Sequence, residues 1–346
     1  MGTLPLELQS DNRDLDDVVD MINAMHEVNA DSLVTLGAGS ISDACKNVKL
    51  GFSNNVSNRD QLLAIKGKIN FAEGSVDVPD IPLNPLTTKL ICIPTSLSAG
   101  EYNPKSGGLD TKTGKKYPYS HPDSMPDVII CDPYLARMTP EWVWLSTGVR
   151  SVDHAIETMG NTKIDLNDQS LKEAYDAAGE ALGLLMEGLI RSKEDPNDVE
   201  ARDMCHKGAW KASLAIVRGV PMGGSHAIGH ILGPLGVGHG HTSCVMMPAA
   251  MRFNYKANSK QQEKIKQILI QKGVVKQLGL DESAEPWQIM AKFVRRIGMP
   301  QSLSEVGVHE DRFEKIARDT IGDFWSQTNP IPLNEEMVME ILQYAK

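Results

Sequence analysis

Asp31-Ser32-Leu33-Val34-Thr35-Leu36-Gly37-Ala38-Gly39-Ser40 is the stretch that decides the fold. A short apolar run stops at two glycines and a serine, and Ile41 to Val48 then continue as a helix. A strand that turns through a glycine corner into a helix opens a parallel α/β unit. Upstream, Leu15, Val18, Val19, Ile22 and Met25 recur at helical spacing within residues 12–28. Downstream, Lys89-Leu-Ile-Cys-Ile93 stops at Pro94, and Asp127-Val-Ile-Ile-Cys131 stops at Asp132-Pro133. Three such runs predict a parallel sheet. Residues 51–86 and 98–124, rich in Gly, Pro, Asn, Ser and Lys, read as long loops.

Strand signals vanish after about residue 138. Helix-compatible patterns cover 141–160, 168–192, 199–218, 223–233, 243–256, 259–273, 286–297, 311–321 and 334–345, with Gly and Pro between them. The chain of 346 residues is long enough for two cores. The prediction is an α/β domain with a parallel sheet over 1–137 and an all-α domain over 138–346.

Hydrophobic residues make up 41% and charged residues 23%, the balance of an ordinary globular protein. The net charge of −10 argues against a nucleic-acid partner. No window has the roughly 18 uninterrupted apolar residues that a membrane span needs. Met1 to Asp11 shows neither a basic nor an apolar signal region, so no secretory leader is expected. Cys45, Cys92, Cys131, Cys205 and Cys244 are widely spaced and odd in number, which speaks against disulfides and a thiolate zinc site and for a reducing cytoplasm.

Four of the nine histidines, His226, His230, His239 and His241, fall within sixteen residues. Imidazole is both a common metal ligand and the side chain that titrates near neutral pH. His226 and His230 are four apart and share one helix face. The glycine-rich segment after them can fold back and bring His239 near. His154 stands on an earlier helix. The corner Gly37-Ala38-Gly39-Ser40 is a place for a phosphate, because glycine admits close backbone approach and a helix start offers free N–H groups. A second loop, Pro94-Thr95-Ser96-Leu97-Ser98-Ala99-Gly100-Glu101, lies at the same carboxyl edge of the sheet. The six-residue dinucleotide fingerprint is absent, since Ser42 occupies its third glycine position.

Taken in order, five motifs resemble the iron-containing alcohol dehydrogenase family, whose fold is dehydroquinate synthase-like. They are Gly37-Ala-Gly-Ser-Ile-Ser-Asp43-Ala-Cys-Lys46, Pro94-Thr95-Ser96 with Gly100-Glu101, Gly148-Val-Arg150-Ser-Val-Asp-His154-Ala-Ile-Glu157, Ser225-His226 to His230, and His239-Gly with Met247-Pro248. Within the family, the Pro94 to Glu101 loop looks most like the maleylacetate reductase branch. The resemblance implies an NAD(P)-dependent oxidoreductase that passes hydride to or from a carbonyl or alcohol carbon in the interdomain cleft. It implies that Gly37, Gly39, Ser40 and Asp43 line the pyrophosphate, that Thr95 and Ser96 hold the nicotinamide side, and that Lys116 (or Lys115) approaches the ribose. It also implies iron or zinc on His154, His226 and His239, with His230 relaying protons.

Two departures limit that transfer. The family's fourth metal ligand is an aspartate four residues before the first histidine, and here that position is Arg150. A guanidinium donates only and cannot coordinate a cation. Asp153 points about 100° away from His154 on a helix and is a poor replacement. These residues argue against a tightly held metal and for Arg150 clamping a substrate carboxylate or enolate, with His226, His230 or His239 as the general acid. The second departure is the start of the chain. Only about 36 residues precede Gly37, which reads as a shortened nucleotide domain whose exposed sheet edge is covered in a dimer. The reading is thus a cytoplasmic NAD(P)H-dependent reductase of a small, carboxylate-bearing substrate. The alternatives are a non-redox lyase, isomerase or dehydratase using the same histidines, or an inactive paralogue.

Overall fold

Asp14 starts the first helix, α1 (Leu15–Glu27), by accepting from the Leu15 N–H at 2.7 Å, while Asp17 accepts from the Asp14 N–H. The computed structural model describes residues 14–70 and 75–346. The N-terminal stretch read for a leader, and residues 12–13 of the first expected helix, lie outside the described residues. Two compact units are present. The first holds the described residues through Asn70 together with Ser75–Thr95 and Ala99–Asp132, and the second holds Ser96–Ser98 and Pro133–Lys346.

In the first unit α1 is followed by β1 (Ser32–Gly37), α2 (Gly39–Ser53), α3 (Arg59–Ala64), β2 (Lys68–Asn70), β3 (Ser75–Asp77), β4 (Lys89–Pro94), β5 (Lys105–Asp110), β6 (Lys115–Ser120) and β7 (Val128–Ile129). The three expected runs form a parallel sheet in the order β1-β4-β7, with Thr35, Cys92 and Ile129 aligned across it. Leu33, Leu90 and Cys92 pack with Ile41 and Cys45 of α2 on one face. Val34 and Leu36 alternate to the other face and are exposed.

The loops expected over 51–86 and 98–124 are partly wrong. Arg59–Ala64 is helical, β2 pairs with β3, and β5 pairs antiparallel with β6 around Gly114, where φ is +67°. The glycines misled because they make room for packing. A Cβ on Gly108 would lie 2.7 Å from Leu15 Cδ2 and 2.9 Å from the Tyr119 ring. A strand with its side chains removed for that purpose is compositionally indistinguishable from a loop.

The second unit is helical: α4 (Pro133–Ala136), α5 (Glu141–Gly160), α6 (Gln169–Glu194), α7 (Val199–Val217), α8 (Gly224–Leu232), α9 (His239–Gln271), α10 (Val274–Gln277), α11 (Pro286–Arg296), α12 (Phe313–Thr320) and α13 (Glu335–Tyr344). Two helices expected at 243–256 and 259–273 are one, α9, bent at Asn258, where φ is −130° and ψ 30°. The buried centre is α5, whose Trp144, Leu145, Val149, Val152 and Ile156 meet Leu182, Leu185 and Leu189 of α6 and Met247 and Met251 of α9. Among the described residues no helix is long and apolar enough to cross a membrane.

Candidate active site

Arg150, Asp153 and Glu157 fall at i, i+3 and i+7 on α5 and so share one face. That face turns inward. Arg150 is 4% exposed and Asp153 is fully buried. Opposite stands the start of α8, whose N-cap, Gly223, offers no side chain. Glu157 supplies what is missing: it accepts from the Gly223 N–H at 2.8 Å and the Ser225 N–H at 2.9 Å. The Gly224 N–H donates instead to Asn329 Oδ1 at 3.0 Å. A carboxylate at a helix N-terminus is favoured by the helix dipole as well as by these bonds.

The same carboxylate fixes His226. His226 Nδ1 lies 2.8 Å from Glu157 Oε2 and 3.4 Å from Asp153 Oδ2. With Glu157 ionised, Nδ1–H donates to it and the lone pair is left on Nε2. That Nε2 atom is buried with no partner, as is His154 Nδ1. The two rings are stacked, 4.8 Å between centroids and 26° from parallel. Asp153 Oδ2 accepts from Ser225 Oγ at 2.7 Å, while its Oδ1 is buried and unpartnered. Asp153, Glu157 and His226 form the one cluster of metal-type donors among the described residues, their atoms within 4.8 Å of one another.

Electrostatics follow from the burial. Desolvation pushes the Asp153 carboxyl well up, with the Glu157 charge adding to the rise, and it pushes Glu157 up to about 7 against the N–H groups of Gly223 and Ser225 and the Arg150 charge. Desolvation also drives His154 and His226 well below the usual imidazole value, with the Arg150 charge adding to the effect on both. Burial lowers Arg150 to about 10, so it remains a cation at neutral pH. Its Nη1 donates to Ser243 Oγ at 3.3 Å and Thr242 Oγ1 at 3.5 Å, both on the first turns of α9.

The other residues picked from sequence are distributed as follows. His230, one turn along α8, holds Asp323 Oδ2 at 2.8 Å through Nδ1 and stacks on Trp325, whose edge also meets His226. His239 opens α9, is exposed, and lies outside the donor cluster. The structure thus stacks His154 on His226 and sets both within the field of Arg150, while His239 is exposed and not among the clustered donors. In the sequence Glu157 is only the last residue of the motif that carries Arg150 and His154, and Asp153 is set aside on its angle to His154. Its spacing from Arg150 and Glu157 was the available signal.

In the first unit, Gly37 ends β1 and Gly39 begins α2, as the corner requires. Ala38, the N-cap, contributes no side-chain bond, and no acidic residue occupies the first turn. The helix start therefore remains open to an anion. Ser40 is exposed beside it. The Thr95 N–H donates to the Gly37 carbonyl at 2.9 Å and ties the ends of β1 and β4 together. Asp43 is committed to Lys46 Nζ at 2.8 Å and to the Gly107 N–H at 3.3 Å, so it braces the corner. Fully buried Lys46 also donates to the carbonyls of Gly100, Asn103 and Lys105. Lys116 is exposed on β6, and its stem crosses Gly107. In the second unit, Ser96 Oγ lies 2.7 Å from Ser98 Oγ.

Comparison with known proteins agrees over nearly the whole chain. Residues 8–133 match the iron-containing alcohol dehydrogenases, and residues 145–346 match the Fe-containing alcohol dehydrogenase family, C-terminal. Dehydrogenase ALT3 of Alternaria alternata is 31% identical across 96% of this chain and 88% of its own length. The NAD-dependent methanol dehydrogenase of Bacillus methanolicus is 26% identical across 94% and 79%. Maleylacetate reductase from Rhizobium sp. strain MTP-10005 has the same fold, with a TM-score of 0.74 at 21% identity, covering 97% of this chain and 80% of that one. The motif order, the two-unit architecture and these matches agree, and the chain is an oxidoreductase that belongs to the iron-containing alcohol dehydrogenase family.

Proposed function

We propose that this chain is an NAD(P)H-dependent reductase of a small carboxylate-bearing carbonyl compound, working without a resident metal. The observation that carries this reading is Arg150, a buried guanidinium where the family has a ligand aspartate. The iron implied by the family does not fit these residues. Three donor atoms are unpartnered, the nitrogens of His154 and His226 and Asp153 Oδ1, and the last belongs to a carboxyl that burial holds toward its protonated form. Glu157 is already engaged by two backbone N–H groups and His226, and Asp153 Oδ2 by Ser225. A divalent ion on the two imidazoles would also face the guanidinium whose charge already disfavours their protonation. A unit charge at about 4 Å costs about 4 kcal/mol at an effective dielectric near 20.

The nicotinamide cofactor fits the first unit, where the uncapped start of α2 suits a pyrophosphate through Gly37, Gly39 and Ser40. Bound there, it supplies the hydride. The protein's part is to hold the substrate and deliver a proton. Arg150 offers a fixed fork to a carboxylate or to the oxygen that gains charge. When Glu157 is protonated, its hydroxyl donates to His226 Nδ1 and the ring carries hydrogen on Nε2. As hydride reaches the carbonyl carbon, the Nε2 proton passes to the oxygen and the Glu157 proton shifts to Nδ1. The ring ends neutral and Glu157 ends ionised, so no imidazolium forms in a site that disfavours one.

The test is nicotinamide absorbance with short keto acids and their methyl esters. Acid is expected to be favoured over ester by roughly 10–100-fold, the value of one charge-assisted contact. Arg150→Leu should erase that preference, and His226→Ala should abolish turnover. Turnover without nucleotide, or no binding of NADH and NADPH, refutes the proposal.

A further inference from the structure

Away from the histidine cluster, the second unit encloses a cavity of about 90 Å³ between α9, α11 and α13. Val245, Ala249, Ala291 and Val294 give it apolar walls. At its rim the Arg252 guanidinium rests 4.0 Å from the Tyr344 ring centroid and 5.0 Å from that of Trp287. Two rings hold the cation in place without consuming its N–H donors. Arg252 is exposed, and among the described residues no hydrogen bond or ion pair engages its guanidinium. An oriented guanidinium with unspent donors therefore stands beside a small apolar hole. Arginine in that state selects a planar anion that can accept two parallel bonds.

We propose that this cavity is a second binding site, taking a short aliphatic carboxylate with its head on Arg252 and its chain between α9 and α11. Size sets the chain length. The cavity is several times the roughly 10–15 Å³ that one water needs, and well below the roughly 150 Å³ that admits benzene. About three carbons fit, and a ring does not. The wall residues Cys244 and Val245 follow directly on Thr242 and Ser243, which bear on Arg150. The site draws on none of the residues in the proposed reaction, so its fate is separate from that reading.

Butyrate is the probe, titrated into the full chain by calorimetry and by tryptophan fluorescence, with butanol and butylamine as controls. A saturable one-to-one response is expected at roughly millimolar concentration. Arg252→Gln should weaken butyrate at least tenfold. Ala291→Leu, which fills the hole and keeps the arginine, should do the same. Arg150→Leu should leave this response in place, which separates it from a carboxylate bound at the reaction site. Butyrate binding that survives both Arg252→Gln and Ala291→Leu overturns the proposal. So does equal binding of butanol, or the absence of any saturable response.

Discussion

Replacing Glu157 with glutamine isolates the buried proton on which the proposed chemistry depends. Glu157 is raised from 4.5 to about 7, chiefly by desolvation. The sign follows directly. The folded state holds the proton more tightly than the unfolded chain, so the stabilisation is complete below about 4.5 and is lost as pH rises through about 7. Integrated from about pH 5.5 to about pH 8, one such group removes about 2 kcal/mol of stability from the native protein. Glutamine cannot titrate and loses none of this. His154 and His226 act oppositely, since their depressed values place stability above the usual imidazole range and remove it as pH falls. That contribution is retained in the variant, and removing the Glu157 charge also releases part of the upward push on Asp153, so the difference reports the proton held by the carboxyl pair. Glutamine also turns an NH2 toward Gly223, Ser225 or His226, an offset of about 1–3 kcal/mol at every pH. Urea unfolding of native and Glu157→Gln protein across this range should show their difference shrinking by about 2 kcal/mol toward the alkaline end. A difference that is flat, or that grows with pH, refutes the assignment of a retained proton to Glu157.

Further outcomes are expected. Dialysis against a strong chelator should leave turnover and thermal midpoint unchanged, whereas a stoichiometric metal whose removal stops turnover contradicts the fit argued for Arg150. Gly240→Ala should destabilise by about 1–3 kcal/mol in chemical unfolding, because its Cβ would sit 2.5 Å from the Ser146 carbonyl carbon where α9 meets α5. Lys46→Met should cost about 3–5 kcal/mol by leaving Asp43 and three carbonyls without their buried partner, and titration should show weakened nucleotide binding.

The parallel strands and the longer helices were legible because each follows a short-range rule, apolar runs for β1, β4 and β7 and helical period with Gly or Pro punctuation for α5 to α9 and α11 to α13, whereas the short helices α3, α4 and α10 hold too few residues to show a period. The β5–β6 hairpin was not legible, because Gly107 and Gly108 serve a neighbour, Lys116 or Leu15, rather than their own strand. The site was half legible. His154, His226 and Arg150 could be found by motif because their order in the chain is fixed. The role of Glu157 could not, since it depends on α8 starting at residues without a capping side chain, 66 positions further along the chain. His239, thirteen residues after His226, is exposed and is not one of the cluster's donors.

The arginine and the two acids are best understood as one exchange. The buried Asp153 and the largely buried Glu157 carry two negative charges when ionised, and Arg150 supplies one positive charge. The raised values of Asp153 and Glu157 mean that the pair keeps a proton toward neutral pH, which balances the second charge. The cluster is then neutral with its histidines uncharged, as burial requires. A divalent ion would disturb that balance. Expelling the shared proton offsets only one of the two added charges and leaves a net positive charge in a dry site. The acids that accompany Arg150 are therefore not spare ligands awaiting a metal. They are what allows a guanidinium to be buried there, and in the proposed reaction the proton they retain is the one delivered to the carbonyl oxygen.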